Sequence, residues 1–210
     1  MSRLDFRFGA PVLSSDDRLI GALERLVTGR EGFDPHSIVV KENDQFSGRR
    51  LAPGSWYLHD EVLVPVRRVA TATEDEVLLD LSAAECRRLK PYLSHHYRPV
   101  DSGAALRMVV AVASTGITPP NLDEVAAKSA DELEIAKGEN VMLGHIGRRL
   151  GHVQEVIFDA GELVGVVMKP NGFFHQDLLV PVRFLARSDD LALFVDATED
   201  DVRRLQPIQP

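Results

Sequence analysis

Histidine is the side chain that titrates nearest neutral pH and most often ligates metal. Two of the seven histidines in this chain sit at matching places. His59 and His175 each lie two residues before an apolar stretch and beside acids, Asp60-Glu61 in one case and Asp177 in the other. The chemical reading is a pair of metal or proton-handling sites. The structural reading is a strand-end imidazole bonded to a backbone carbonyl, and it is preferred because no second histidine follows at ligand spacing. His95-His96-Tyr97 offers adjacent imidazoles, which point in different directions on a strand or helix and so seldom share an ion. His145 and His152 are seven residues apart across two glycines in a predicted hairpin, where cross-strand chelation is open but not expected.

The remaining reactive types read the same way. Arg87-Arg88 and Arg203-Arg204 are candidates for phosphate, but each follows acids within a helical turn, which fits exposed charge pairing better. Cys86 is the one cysteine, and its repeat counterpart is Val202, so it reads as a small apolar residue and not a nucleophile. Trp56-Tyr57 and Phe173-Phe174 could supply interface energy, with core packing as the competing reading. Together with His59 and His175 they form the candidate interaction surface. No phosphate loop, Ser-His-Asp spacing, Glu-x-x-His pattern or convincing carboxylate pair stands out, so no catalytic, cofactor-binding or metal residue is assigned and no cofactor is expected.

What must position these residues is a unit stated twice. Residues 57–91 and 173–207 align without a gap at an offset of 116, with twelve identities in thirty-five positions. Unrelated segments of average composition would share roughly two. The shared set includes Leu63-Val64-Pro65-Val66-Arg67 with Leu179-Val180-Pro181-Val182-Arg183, and Arg87-Arg88-Leu89 with Arg203-Arg204-Leu205. Upstream, Gly21 matches Gly151 at an offset of 130, so the first copy holds fourteen more residues, within 28–56.

Each copy reads as a run of short strands. Phe8–Leu13 and Leu19–Val27, with a polar turn between, predict a hairpin, repeated by Gly138–Leu143 and Leu150–Ile157. Ser37–Val40 and Leu163–Met168 predict third strands, and Val77–Leu81 and Leu191–Val195 fifth strands. The proline of the Leu-Val-Pro-Val strand cannot donate to a ladder, which places it at an edge, a bulge or a corner. Ser82 with Glu85 and Thr198 with Asp201 predict capped short helices that stop at Pro91 and Pro207. Short strands with local connections favour small closed or half-closed β-barrels, residues 1–97 and 136–210. In the linker, 98–135, Leu106–Ala113 predicts a packed strand, and the acidic Leu122–Ile135 reads as helix-compatible, exposed and mobile.

Composition narrows the partners. The formal charge is −8, with 10 basic against 17 acidic residues in 101–210, so generic nucleic-acid binding is disfavoured. A single cysteine excludes an internal disulfide, and the longest apolar run, Met108–Ala113, is far too short to cross a bilayer. Charges interrupt the first apolar stretch, Met1–Phe8, which lacks a signal-peptide core, so cytoplasmic residence is the expectation.

The order found twice, a glycine-bearing opening strand, a polar turn, an Ile/Leu-Gly strand, a β-rich middle, Leu-Val-Pro-Val and a capped helical turn, resembles the PRC-barrel superfamily. That superfamily takes in the cytoplasmic domain of the reaction-centre H subunit and a domain of the ribosome maturation factor. The resemblance covers residues 5–97 and 136–210. It implies a mainly β protein of two small barrels, each ending in a short helix. It also implies a non-catalytic binding or adaptor role toward a protein partner or a second copy, with no shared catalytic residues. The alternatives are a ribosome-associated or RNA-processing accessory, and a metal- or small-molecule-dependent enzyme built on His59 or His175.

Overall fold

Strand β2, Leu19–Gly29, sends Ile20, Leu23 and Leu26 into the core although they are three residues apart, not two. Two irregularities make that possible. The register against β1, Pro11–Leu13, slips between Val12 and Leu13, and the register against β3, Pro35–Glu42, slips between Leu23 and Arg25. Each slip adds a residue to β2 and returns the next apolar side chain to the same face. The second copy repeats the device. Strand β11, Arg149–Asp159, slips at the corresponding places against β10, Asn140–Leu143, and β12, Glu162–Pro170, and buries Leu150, Val153 and Val156.

The computed structural model describes residues 4–30, 32–43, 46, 61–97, 122–126, 132–144, 147–172, 176–189 and 192–208. The first copy adds β4, Glu61–Pro65, β5, Val69–Ala72, β6, Val77–Leu79, and helix α1, Ala83–Cys86. The second adds β13, Asp177–Pro181, β14, Leu185–Ser188, β15, Ala192–Val195, helix α2, Glu199–Arg203, and β16, Gln206–Ile208. The first sheet runs β4-β3-β2-β1-β6-β5, and the second β14-β15-β10-β11-β12-β13-β16. The parallel pairs β1/β6 and β10/β15 correspond, as do the Val62/Pro91 bridge and the Leu178/Pro207 pair.

Pro65 and Pro181 are corners. Each ends its strand, and a single 3-10 turn follows, Val66–Arg68 or Val182–Phe184, before the chain re-enters the sheet. Both helices carry the expected capping box, Ser82 with Glu85 and Thr198 with Asp201.

One expectation is narrowed and one is corrected. Of the closed or half-closed barrels expected, the described residues form open paths of strands. Near the β14 edge of the second sheet, two contacts from elsewhere in the chain stand where closure would put a neighbouring strand. The Arg30 Nε–H donates to the Ala186 carbonyl, and the Glu134 N–H donates to Ser188 Oγ. An edge covered from outside needs no closure.

The acidic linker segment is strand and not helix where it is described. Leu122–Ala126 is β8, paired with β7, Leu93–Tyr97. Glu132–Ala136 is β9, an antiparallel partner of β2 from Arg25↔Ala136 to Gly29↔Glu132. Leu133, Glu134 and Ile135 are buried, so this part is not an exposed helix. Helix propensity loses because β2 offers an unpaired edge and the alternation Leu133-Glu134-Ile135 fits it. The apolar run Leu106–Ala113 lies outside the described residues.

One core serves both copies. A single cluster of buried side chains takes in Val12, Leu23 and Val64 of the first copy, Leu133 and Ile135 of β9, and Val141, Val153 and Leu193 of the second. The matched glycines have a steric reason: a Cβ at Gly21 would overlap the Lys41 carbonyl, and one at Gly151 the Lys169 carbonyl. Gly151→Ala is expected to cost about 2–4 kcal/mol, measured as a lower urea midpoint of the full chain with an unchanged slope.

Candidate functional site

Two features combine polar chemistry with enclosure: a groove on the second copy and a buried polar seam where β9 meets the first copy. The groove measures about 900 Å³, in the range of ligand-sized pockets. Its floor is apolar: Leu150 of β11, Met168 of β12, Leu178 of β13, and Val202 and Leu205 at and after α2. Its rim is polar and carries Arg148, Arg149 and Arg203. Asn171 fixes one wall, since its backbone N–H donates to the Leu150 carbonyl at 2.8 Å and its side-chain amide to the Arg149 carbonyl at 3.1 Å. Arg148 pairs with Glu199 at 2.7 Å and Arg203 with Asp200 at 3.6 Å. All four side chains are more than half exposed, so these pairs are weak and exchangeable.

The seam is built on Arg25 of β2. Its Nε and Nη2 reach both Glu61 carboxylate oxygens at 3.2 Å, and its Nη1 reaches Glu134 Oε1 of β9 at 2.7 Å. The Tyr92 hydroxyl donates to Glu134 Oε2 at 2.6 Å, and the Arg25 guanidinium lies 5.8 Å from the Tyr92 ring centre. Glu61 and Glu134 are both buried. Burial alone would lower the proton affinity of Arg25, and its bonds to the two carboxylates more than offset that, leaving its pKa above the ordinary value. Burial, then donation to Glu134, holds the Tyr92 proton well above the usual phenol range. Arg25 and Tyr92 both hold their protons more firmly than usual, so neither is poised to give one up near neutral pH.

Glu155 occupies the position in β11 that Arg25 holds in β2, directly after the bulge. Its Oε1 accepts from the Phe8 N–H at 2.9 Å, and its Oε2 lies 3.7 Å from Arg7 Nε. Burial pushes its carboxyl above the ordinary carboxylate range, against the bonds from the backbone and Arg7.

Of the residues singled out in the sequence, Trp56, Tyr57, His59, Phe173, Phe174 and His175 lie outside the described residues, in the connections that lead into β4 and β13. Cys86 is fully buried, and burial pushes its thiol up to about 11, so it is packing and not a nucleophile. The His152 ring stands 2.9 Å from the Gln154 amide nitrogen. Among the described residues no group of three His, Cys, Asp or Glu is placed to hold a metal. The Arg25 cluster escaped the sequence reading. Its signals were a lone arginine inside an apolar strand and a glutamate between Leu133 and Ile135.

Removing Glu134 takes one of two carboxylates from Arg25 and the acceptor from the Tyr92 hydroxyl. Glu134→Ala is expected to cost about 3 kcal/mol, while replacing the whole cluster, Arg25→Met with Glu61→Leu, Glu134→Leu and Tyr92→Phe, recovers a large part, both read by urea denaturation. Glu155 predicts a pH signature. A carboxyl whose folded pKa is raised contributes stability that is full below its unfolded pKa and lost as pH rises through the folded value. Glu155→Gln keeps the acceptor for Phe8. It is expected to stabilise the chain at pH 7 and to make no difference at pH 3; equal effects at both pH values would contradict the assignment.

Residues 136–202 match the family model described as the PRC-barrel domain. That span runs from the end of β9 into α2 and holds most of the groove's floor. No curated protein matches the chain. Over the unit from β10 to α2, the chain is similar to the PRC-barrel domain.

Proposed function

We propose that the protein is a non-catalytic, cytoplasmic adaptor. Two PRC-type modules, residues 1–97 and 136–210 joined by 98–135, present binding faces to a protein partner or to a second copy of the chain. The observation that carries this is the open, apolar-floored groove on the module that matches the family. PRC-barrel domains in general are binding modules, and the shared core gives such a module a stiff frame. The connections bearing Trp56, Tyr57 and His59, and Phe173, Phe174 and His175, belong to the same contact surface in this reading. The charge of −8 favours protein over nucleic-acid partners.

The test uses the full chain. Affinity capture from its source cell, with light scattering of the purified protein, is expected to give one reproducible partner or a defined oligomer. A strictly monomeric protein that captures nothing reproducible sinks the adaptor reading. Co-sedimentation with small ribosomal subunits at low salt would replace it with the ribosomal alternative.

A further inference from the structure

The groove of the second module has a filled counterpart in the first. Asn43 repeats the bonds of Asn171: its N–H donates to the Ile20 carbonyl at 3.0 Å and its side-chain amide to the Leu19 carbonyl at 3.0 Å. Asn43 Oδ1 then accepts from the N–H of Phe46 at 2.7 Å. That turn drops the Phe46 ring into the cluster that holds Ile20, Val40, Val62 and Cys86, the counterparts of Leu150, Met168, Leu178 and Val202. Phe46 is 6% exposed, and the Arg87 guanidinium lies 5.0 Å from its ring centre. Arg203 stands at the position of Arg87.

Coverage differs accordingly. Val62 and Cys86 are buried, whereas Leu178 and Val202 are only half-buried. The cause is in the connections. Residues 43–60 join β3 to β4, while 171–176 alone join β12 to β13, twelve residues fewer. Gly172, at φ +100°, takes the backbone into the left-handed region directly after Asn171.

We propose that the groove between β11, β12, β13 and α2 docks an aromatic side chain that a partner protein presents on a short acidic turn, the chemistry of Asn43-Asp44-Gln45-Phe46. The ring takes the place over Leu178 and Val202, and Arg203 stacks on it as Arg87 stacks on Phe46. The acid meets Arg148 and Arg149, whose side chains are at the solvent-exposed rim. The proposal rests on the adaptor reading and supplies the partner's chemistry.

The experiment titrates a fluorescein-labelled peptide, Lys-Glu-Asn-Asp-Gln-Phe-Ser-Gly, into the full chain by fluorescence anisotropy. Saturable binding is expected, weakened about tenfold or more when the peptide's Phe is replaced by Ala. Two chain variants check the place. Val202→Trp fills the groove, and Arg203→Glu reverses one exposed rim charge without touching the core; each is expected to weaken binding about tenfold, with thermal unfolding confirming that the chain stays folded. No saturable binding, or equal binding of the Ala peptide, overturns the proposal. Binding that emerges only in Phe174→Ala also overturns it, because the occupant would then be the chain's own Phe174, three residues after Asn171. A captured partner that survives Val202→Trp leaves the adaptor function standing and removes the groove from it.

Discussion

A sheet edge must be paired or covered, and the edge of β2 is the constraint on which the arrangement of this molecule depends. β2 runs past the short β1, so its far half, Arg25–Gly29, has no partner within its own copy on that side. β9 fills that edge. It leads directly into β10, the first strand of the second sheet, so its ladder couples the opening of one copy to the longest strand of the other. Among the described residues, one core therefore spans both copies. The covered β14 edge follows from the same placement, since β9 also offers its backbone to Ser188. Open sheets are stable here because each supplies what the other's edge lacks.

The two copies point to a two-fold exchange that is only half carried out. Gly9 and Gly138 both sit at φ +82°, and counting back from them matches Leu4, Asp5 and Phe6 to Leu133, Glu134 and Ile135. The N-terminal segment lies beside β5 through the Leu4/Ala72 bridge and packs Phe6 edge-on to Phe158 of β11 at 5.6 Å. It stops short of a ladder. On β2, Arg25 faces Ala136 in the ladder and reaches diagonally to Glu134; on β11 the same position is Glu155, which lies beside Arg7, the counterpart of Ala136, and accepts from the Phe8 backbone. Those contacts stand where the other seam has five paired residues.

Much of this was legible in the sequence, for identifiable reasons. The repeat, the capped helices and the proline corners depend on short-range rules: a hydroxyl and an acid three residues apart make a capping box wherever they occur. The fate of Leu122–Ile135 was not legible, because local composition favoured a helix and the decisive fact was an empty edge about a hundred residues away. Nor was the Arg25 cluster, whose members Arg25, Glu61, Tyr92 and Glu134 come from four separate segments. The degree of closure was open for a related reason. Strand count and local connections allow a closed or a half-closed copy, and neither copy is alone.

Duplication also sets where function can reside. Residues that both copies need for folding, Gly21 and Gly151 among them, are held in place by steric contacts that each copy must satisfy. Such positions carry no information about a partner. Differences do, when they change what is exposed while the frame is kept. The Asn43 and Asn171 bonds are the same, the floor residues correspond, and the arginine over the groove is present in both; the length of one connection is what differs. In the first module that length lets the chain satisfy its own apolar floor. In the second it leaves half-buried leucine and valine under an arginine rim, a surface that gains free energy from whatever aromatic group covers it. The copy whose connection is shorter by twelve residues is thus the copy left with something to bind.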